Sequence, residues 1–245
     1  MTRIASPHNP HLKAVRRLHS RRERERTHSF IAEGEDLILA AREAGRAPLE
    51  GYRAAGSELA VAAGFHEVEP DALARVSTLG SGTRVLAVYE QRWGRALGPL
   101  CVYLHGVGDP GNVGTILRAA HAFGASCVAF GPGCADPHAP KAVRASMGAI
   151  FAVALARVSD LDELPGERVA LSAHGGEALR GPAGAIAPEL TLLVGAEREG
   201  LPPQVLENCG LQARIAIEGD SLNAAMAATV ALYEMTRGPS RVRPS

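Results

Sequence analysis

The sequence predicts an α/β fold with a parallel sheet in its C-terminal part, because three strand-to-loop-to-helix transitions follow one another there. Each transition begins with a short apolar run, at residues 100–104, 190–194 and 213–217. A polar loop leaves each run at once, and a helical pattern follows it. Ligands of open α/β sheets bind beyond the carboxyl ends of the strands, so these loops are the expected position of a functional site.

The first transition contributes Asn112 and Arg118. Residues 105–111 form a glycine-containing loop, and residues 112–124 have the pattern of a helix ended by Gly124. We expect Asn112 at the entrance of this helix and Arg118 on its second turn. An amide and a cationic guanidinium at the rim of a parallel sheet suit an anionic substrate such as a nucleic-acid backbone. The alternative is an N-cap asparagine and a solvated arginine.

The second and third transitions contribute Glu197, Ser221 and Asn223. Glu197 stands in the glycine-containing loop that leaves the run 190–194, whereas Ser221 and Asn223 precede a helical pattern that extends to Arg237. The alternatives are structural, because the helix dipole favours a glutamate in the first turn and serine is a common N-cap. The chain nevertheless presents these polar residues where an α/β fold would use them.

The three segments, in this order and spacing, resemble the SpoU/TrmH family of RNA ribose 2′-O-methyltransferases, within the SPOUT class of knotted enzymes. The similarity is carried by residues 112–124, by Leu-Val-Gly-Ala-Glu-Arg-Glu-Gly-Leu at 193–201, and by Ile215 followed by Ser-Leu-Asn at 221–223. Residues 144–151 are similar to the middle segment of the family. The resemblance extends over residues 100 to 237.

The resemblance implies a SPOUT domain at residues 99–245 with a deep trefoil knot. It implies S-adenosylmethionine as the cofactor, held mainly by backbone groups of the knot loops at Gly195, Ile215, Ile217 and Leu222. No metal is needed for this chemistry. It also implies a homodimer that involves the last helix, where Leu222, Met226, Val230 and Tyr233 form an apolar stripe. Packing of that stripe within one subunit is the alternative.

The resemblance further implies catalytic roles for the polar residues of the three transitions. Arg118 is expected at the target ribose, and the residues around it are Asn112, Glu197, Ser221 and Asn223. A free guanidinium stays protonated at neutral pH. We therefore expect Arg118 to position a phosphate and to activate the 2′-hydroxyl, rather than to act as an unaided base. Glu197 is expected to hold Arg118 or Asn112 in place.

One segment departs from the family pattern. The loop before Ser-Leu-Asn is shorter here, at Gly219–Ser221, and Ala216 stands where the family has proline. A shorter knot loop is expected to affect cofactor binding. It leaves open a non-catalytic RNA- or ribosome-binding protein on the same scaffold, although the presence of all five polar residues favours an active enzyme.

The N-terminal part, residues 1–95, resembles a small α/β RNA-binding domain, and the chain is expected to divide in the linker-like stretch 91–99. The formal net charge of the chain is zero, but residues 1–30 hold eight lysines and arginines against two glutamates. Such a segment attracts a phosphate backbone without reading its sequence. The alternative is a solvated terminal helix. A separate basic domain favours ribosomal RNA as the substrate, with transfer RNA as the alternative.

Composition and short motifs indicate where the protein is located and which other kinds of site are disfavoured. No apolar run approaches the roughly 20 residues that span a bilayer, and the N-terminus lacks the apolar core of a secretory signal, so we expect a cytoplasmic protein. The four cysteines lack the spacing of a zinc site and are expected to be free thiols. Gly106-Val-Gly108, in the loop after the first run, is by itself weak evidence of a nucleotide site, so a Rossmann-type nucleotide enzyme is not the favoured class.

Overall fold

The computed structural model describes residues 3–78, 82–173, 175–179, 187–219 and 221–237. The chain forms two compact units. Unit 1 comprises Met1–Gln91 and Asp136–Ala152, and unit 2 comprises Arg92–Ala135 and Val153–Ser245. The segment Asp136–Ala152 is therefore grouped with unit 1 although it is flanked in sequence by unit 2. The domain limits expected from the sequence, 1–95 and 99–245, stay a prediction.

Helices and strands are interspersed along the described residues. The first part contains α1 (Pro10–Arg17), α2 (Arg21–Thr27), β1 (Ser29–Glu33), α3 (Glu35–Glu43), β2 (Glu50–Ala54), β3 (His66–Val68), α4 (Pro70–Ala74) and β4 (Val85–Glu90). The middle contains β5 (Leu100–Leu104), α5 (Pro110–Ala122), β6 (Cys127–Phe130), α6 (Pro140–Ala145), α7 (Ala149–Ala152) and β7 (Ala154–Arg157). The last part contains β8 (Glu167–Leu171), β9 (Glu177–Ala178), β10 (Leu190–Val194), α8 (Pro203–Glu207), β11 (Leu211–Arg214) and α9 (Ala224–Thr236). Short 3-10 helices cover Ala60–Ala62 and Leu161–Glu163.

Unit 1 is built on a four-stranded sheet in the order β1-β4-β2-β3, in which only β2 and β3 run parallel. Helix α1 begins after Asn9, whose side chain accepts a hydrogen bond from the amide of His11 and caps the helix. The helix buries Leu12 and Val15 and leaves its basic side chains outside. Burial of one face therefore fixes the opposite face of α1 as a cationic surface.

Unit 2 is built on a seven-stranded parallel sheet in the order β7-β6-β5-β10-β8-β11-β9. This confirms the predicted α/β fold with a parallel sheet. Strand β10 lies between β5 and β8, and the pairing aligns Val194 with Leu104. Both strands are buried on both faces, as their continuous apolar runs predict. The loops that leave β5 and β10 therefore start side by side at one edge of the sheet.

The start of α5 differs from the prediction. The helix begins at Pro110, and Asp109 is its N-cap, since the Asp109 carboxylate accepts a hydrogen bond from the amide of Asn112 at 2.9 Å. Aspartate is a strong N-cap, and proline at the first helical position already has the helical φ angle. Asn112 consequently lies within the first turn rather than at the entrance, and Arg118 lies on the third turn rather than the second.

The third transition also differs. Strand β11 ends at Arg214 because its neighbours β8 and β9 end opposite it, so Ile215 and Ile217 lie beyond the strand. The N-cap of α9 is Asn223 and not Ser221. The alternative position for Glu197 in a first helical turn is wrong as well, because this residue lies in a turn closed by backbone hydrogen bonds between Ala196 and Gly200.

Two further observations on the described residues concern membrane-spanning helices and the state of the cysteines. No helix among them is both long and apolar enough to cross a membrane. The four cysteines are free, as predicted, with Cys101 and Cys127 buried on the neighbouring strands β5 and β6.

Candidate functional site

The carboxyl edge of the unit 2 sheet brings the three transitions together. The loop after β5 continues the sheet pairing for one residue, since the amide of His105 donates to the carbonyl of Val194 at 2.9 Å. Helix α5, which follows this loop, packs against α9, which follows β11. The side chains at the starts of both helices therefore reach the turn after β10.

Three of the predicted site residues form one hydrogen-bonded cluster, which we call the amide cluster: Asn112, Glu197 and Asn223. The Asn223 Nδ2 donates to Asn112 Oδ1 at 3.1 Å, and the Asn112 Nδ2 donates to the Glu197 carboxylate. The members come from the three separate transitions, 85 and 111 residues apart along the chain. All three remain accessible at the surface of unit 2 to a ligand.

Arg118 is exposed on α5 and is not part of the amide cluster. Its exposed neighbours three or four residues away on the helix are Thr115, His121 and Ala122. Within the described part of the chain, no side chain or carbonyl accepts a hydrogen bond from its guanidinium. Glu197 holds Asn112 and not Arg118, so of the two partners expected for it only Asn112 is observed. The Arg118 guanidinium is thus available to an external anion.

A cavity of about 490 Å³ opens beside the amide cluster. Glu197 and Ser221 line it together with the four residues predicted to hold a cofactor, Gly195, Ile215, Ile217 and Leu222. Its apolar wall also includes Leu171, Leu201 and Leu206. The volume lies within the range of small-molecule sites, and the mixture of apolar side chains with a few polar groups is typical of them.

Local packing explains why the cavity has this wall. A side chain on Gly195 would overlap the backbone of Gly200, so glycine permits the tight turn that carries Glu197. Ile215 and Ile217 lie beyond β11, and Ile217 is 41% exposed, because they line the cavity instead of a sheet. Asp220 lies outside the described residues, and the effect of the shortened Gly219–Ser221 loop stays a prediction.

Sequence reasoning missed Asp109 and Leu206. The Asp109-Pro110 pair is a recognisable helix start, which could have shown that Asn112 is not the cap. Nothing in the sequence links Leu206 to the cavity, because its contribution depends on how α8 packs. Among the described residues, no three histidine, cysteine, aspartate or glutamate side chains are grouped as metal ligands.

Unit 1 presents a basic surface that is smaller than predicted. Of the eight basic side chains in residues 1–30, Arg24 is buried, and its guanidinium forms an ion pair with Asp136 at 2.8 Å. Arg3, Arg21 and Arg26 pair with glutamates. Four exposed side chains have no acidic partner within hydrogen-bonding distance among the described residues, and we call them the basic face: Lys13, Arg16, Arg17 and Arg22.

Helix α9 exposes an apolar stripe, defined as Met226, Val230 and Tyr233. These side chains are 59%, 42% and 56% exposed, whereas the opposite side of the helix is buried against unit 2. Leu222, the fourth residue of the predicted stripe, lines the cavity instead. Tyr233 contacts Phe123 edge-on, with the ring centroids 6.2 Å apart, but a large part of each stripe side chain stays exposed in the described subunit.

Two family models and several known proteins match the chain. The family model described as the SpoU rRNA Methylase family matches residues 99–233, and the one described as the MRM3-like substrate binding domain matches residues 9–87. The 23S rRNA (guanosine(2553)-2′-O)-methyltransferase RlmP of Bacillus subtilis is 30% identical, over 96% of this chain and 99% of its own. An uncharacterized tRNA/rRNA methyltransferase of Mycobacterium tuberculosis is 34% identical, over 79% of this chain and 68% of its own. The crystal structure of an AdoMet-bound rRNA methyltransferase from Sinorhizobium meliloti has a TM-score of 0.84 and 31% identity, and covers 96% of this chain and 97% of that one.

Proposed function

Because the chain belongs to the SpoU rRNA methylase family, we propose that it transfers a methyl group from S-adenosylmethionine to a ribose 2′-hydroxyl of ribosomal RNA. The observation that carries this proposal is the amide cluster at the rim of a ligand-sized cavity, with the exposed Arg118 on the same helix as Asn112. The relative RlmP is named for ribose 2′-O-methylation of 23S rRNA.

The cavity fits the proposed cofactor. Its apolar wall suits an adenine ring, and its polar groups, which include Ser172, Ser221 and Glu197, suit ribose hydroxyls and an ammonium group. The related S. meliloti structure is described as AdoMet-bound, which supports the same ligand here. Gly195, Ile215, Ile217 and Leu222 are the residues that we propose to hold it.

S-adenosylmethionine supplies a methyl group bonded to a positively charged sulfur. In the transfer, the ribose 2′-oxygen forms a bond to the methyl carbon while the carbon–sulfur bond breaks and its electron pair stays on sulfur. The 2′-proton must leave to an acceptor, and Glu197 is the carboxylate that the amide cluster offers. Arg118 holds the adjoining phosphate by charge-assisted hydrogen bonds, which fixes the 2′-oxygen in line with the methyl group.

The basic face of unit 1 supports RNA as the substrate. Its four cations can neutralise backbone phosphates without base contacts. The match of residues 9–87 to a substrate-binding domain model supports the same assignment. We propose ribosomal rather than transfer RNA because the relatives with assigned substrates that match most of the chain are named for ribosomal RNA. A ribosomal RNA substrate also fits the cytoplasmic location predicted from the sequence.

We further propose that the C-terminal part is knotted and that the protein is a homodimer. The knot is supported by the insertion of β10 between β5 and β8 and by the packing of α9 against α5. The dimer is supported by the exposed α9 stripe, because apolar side chains at successive turns of one helix are typical of an interface.

Methyl transfer from tritiated S-adenosylmethionine tests the function. Ribosomal and transfer RNA are isolated from a strain that lacks the gene, and labelled sites are mapped by resistance of the neighbouring phosphodiester to alkali. We expect label on a ribose of ribosomal RNA. Label only on transfer RNA would support the alternative substrate. Binding of cofactor and RNA without transfer would support a non-catalytic RNA-binding protein.

A further inference from the structure

The hydrogen bonds of the amide cluster have a defined donor-to-acceptor direction, which is set by the N-cap of α9. The Asn223 Oδ1 accepts hydrogen bonds from the backbone amides of Ala225 at 2.9 Å and Met226 at 3.3 Å. A backbone amide can only donate, so the oxygen of the Asn223 side chain must point toward the helix. The nitrogen and oxygen of an asparagine side chain are often interchangeable, but here the helix start distinguishes them.

The direction passes from Asn223 to Asn112 and then to Glu197. Since the Asn223 Nδ2 donates at 3.1 Å, the Asn112 atom that faces it must be the oxygen. The Asn112 Nδ2 therefore faces Glu197 and requires an acceptor there, which an ionised carboxylate provides. The Asn112 backbone amide is also occupied, because it donates to Asp109.

We infer that Asn223 is a positioning residue, which acts through Asn112 to hold the Glu197 carboxylate and the turn that carries it against the cavity. This inference rests on the proposed function only for the identity of the ligand. Glu197, Arg198 and Glu199 all belong to that turn and line the cavity. This turn keeps its place in the cavity wall only while two hydrogen bonds are made, the one from Asn223 to Asn112 and the one from Asn112 to Glu197. Asn112 then serves to anchor Glu197, and the 2′-oxygen is left to Arg118 and Glu197.

The substitution Asn223→Asp separates capping from positioning. Aspartate caps a helix as well as asparagine, and its charge is favourable at a helix N-terminus, so α9 keeps its start. It has no donor for Asn112, however, and Asn112 is left between two carboxylates with one donating end. We expect the Kd for S-adenosylmethionine to rise about tenfold, which corresponds to one charge-assisted hydrogen bond.

The substitution Glu197→Gln provides the second half of a double-mutant cycle. In the double variant Asn223→Asp/Glu197→Gln both hydrogen bonds can form in the opposite direction. The introduced glutamine can donate to the Asn112 oxygen, and the Asn112 nitrogen can donate to the introduced aspartate. We therefore expect the double variant to bind the cofactor within twofold of Glu197→Gln alone. An equal loss from Asn223→Asp in both backgrounds would overturn the inference, because a merely structural role does not depend on the residue at position 197.

The control is Asn208→Asp, which makes the same change at an exposed residue of unit 2 outside the cavity and should leave the Kd unchanged. Equilibrium binding needs no RNA, so the cycle does not depend on turnover. If the unaltered protein binds no S-adenosylmethionine, the proposed function fails, and the unfolding midpoints of the same four proteins test the positioning role. Asn223→Asp should then lower the midpoint when Glu197 is present and not in the Glu197→Gln background, and an equal shift in both would refute it.

Discussion

Replacing Arg24 with alanine should destabilise unit 1 by about 3–5 kcal/mol, the cost of breaking a buried ion pair by removing one partner. The side chains of Arg24 and Asp136 are 4% and 10% exposed. The guanidinium also donates to the carbonyls of Leu18 at 2.8 Å and His19 at 2.9 Å. The substitution thus leaves a carboxylate without its cation and two carbonyl groups without this donor.

The same site predicts how unit 1 responds to acid. Burial by itself raises the pKa of Asp136, but hydrogen bonds from His138 and the charge of Arg24 outweigh it and hold this pKa well below the usual range. A carboxyl with a lowered pKa stabilises the folded state above its unfolded pKa, and this contribution disappears as the pH falls toward the folded pKa. We expect acid to remove stability from the unaltered protein, and to remove less in Arg24→Ala.

Hydrogen exchange of the β1 amides measures the free energy of opening unit 1. Arg22→Ala is the matched control, because Arg22 lies two residues away on α2 and is exposed, and its removal should change this free energy by less than about 0.5 kcal/mol. Opening free energies of Arg24→Ala and Arg22→Ala that agree within about 1 kcal/mol would refute the role assigned to the buried ion pair.

Three further predictions concern the proposed function. Arg118→Ala should abolish methyl transfer while the Kd for S-adenosylmethionine stays within about twofold, because Arg118 does not line the cavity; transfer at the original rate would remove its catalytic role. Replacing the four residues of the basic face with alanine should weaken RNA binding and lower the slope of log K against log salt by about three, at 0.7–0.9 per phosphate contact; an unchanged slope would mean that this face is merely solvated. Light scattering should give about twice the chain mass of 25.6 kDa, and Val230→Asp in the α9 stripe should yield monomers, so a monomeric unaltered protein would contradict the dimer.

The strands nearest the site could be predicted because their environment is uniform. Residues 100–104 and 190–194 are buried on both faces, so nearly every position is apolar and the run is visible in the sequence. The exception is Thr191, whose hydroxyl donates to the carbonyl of Pro165. The prediction of a strand over residues 213–217 was wrong in its second half for a related reason. Ile215 and Ile217 are apolar because they line a cavity, and hydrophobicity alone does not distinguish a cavity wall from a strand interior.

Properties that depend on tertiary packing could not be predicted. Nothing near Arg24 in the sequence shows that it meets Asp136, which lies 112 residues further along the chain. The sequence therefore overestimates the charge available to RNA. The grouping of Asp136–Ala152 with unit 1 has the same origin, because it depends on contacts between distant segments.

The polar residues of the site divide according to whether their hydrogen bonds are already made. The two asparagines of the amide cluster are occupied by each other, by the start of α9 and by Glu197. Arg118 has no partner among the described residues, although five N–H donors in a fixed plane are suited to bidentate binding of an oxyanion. A group whose partner is missing in the free protein is the one that an incoming phosphate can satisfy without breaking existing bonds. We therefore propose Arg118 as the RNA contact of this site, and the amide cluster as the frame that keeps the cavity wall in place beside it.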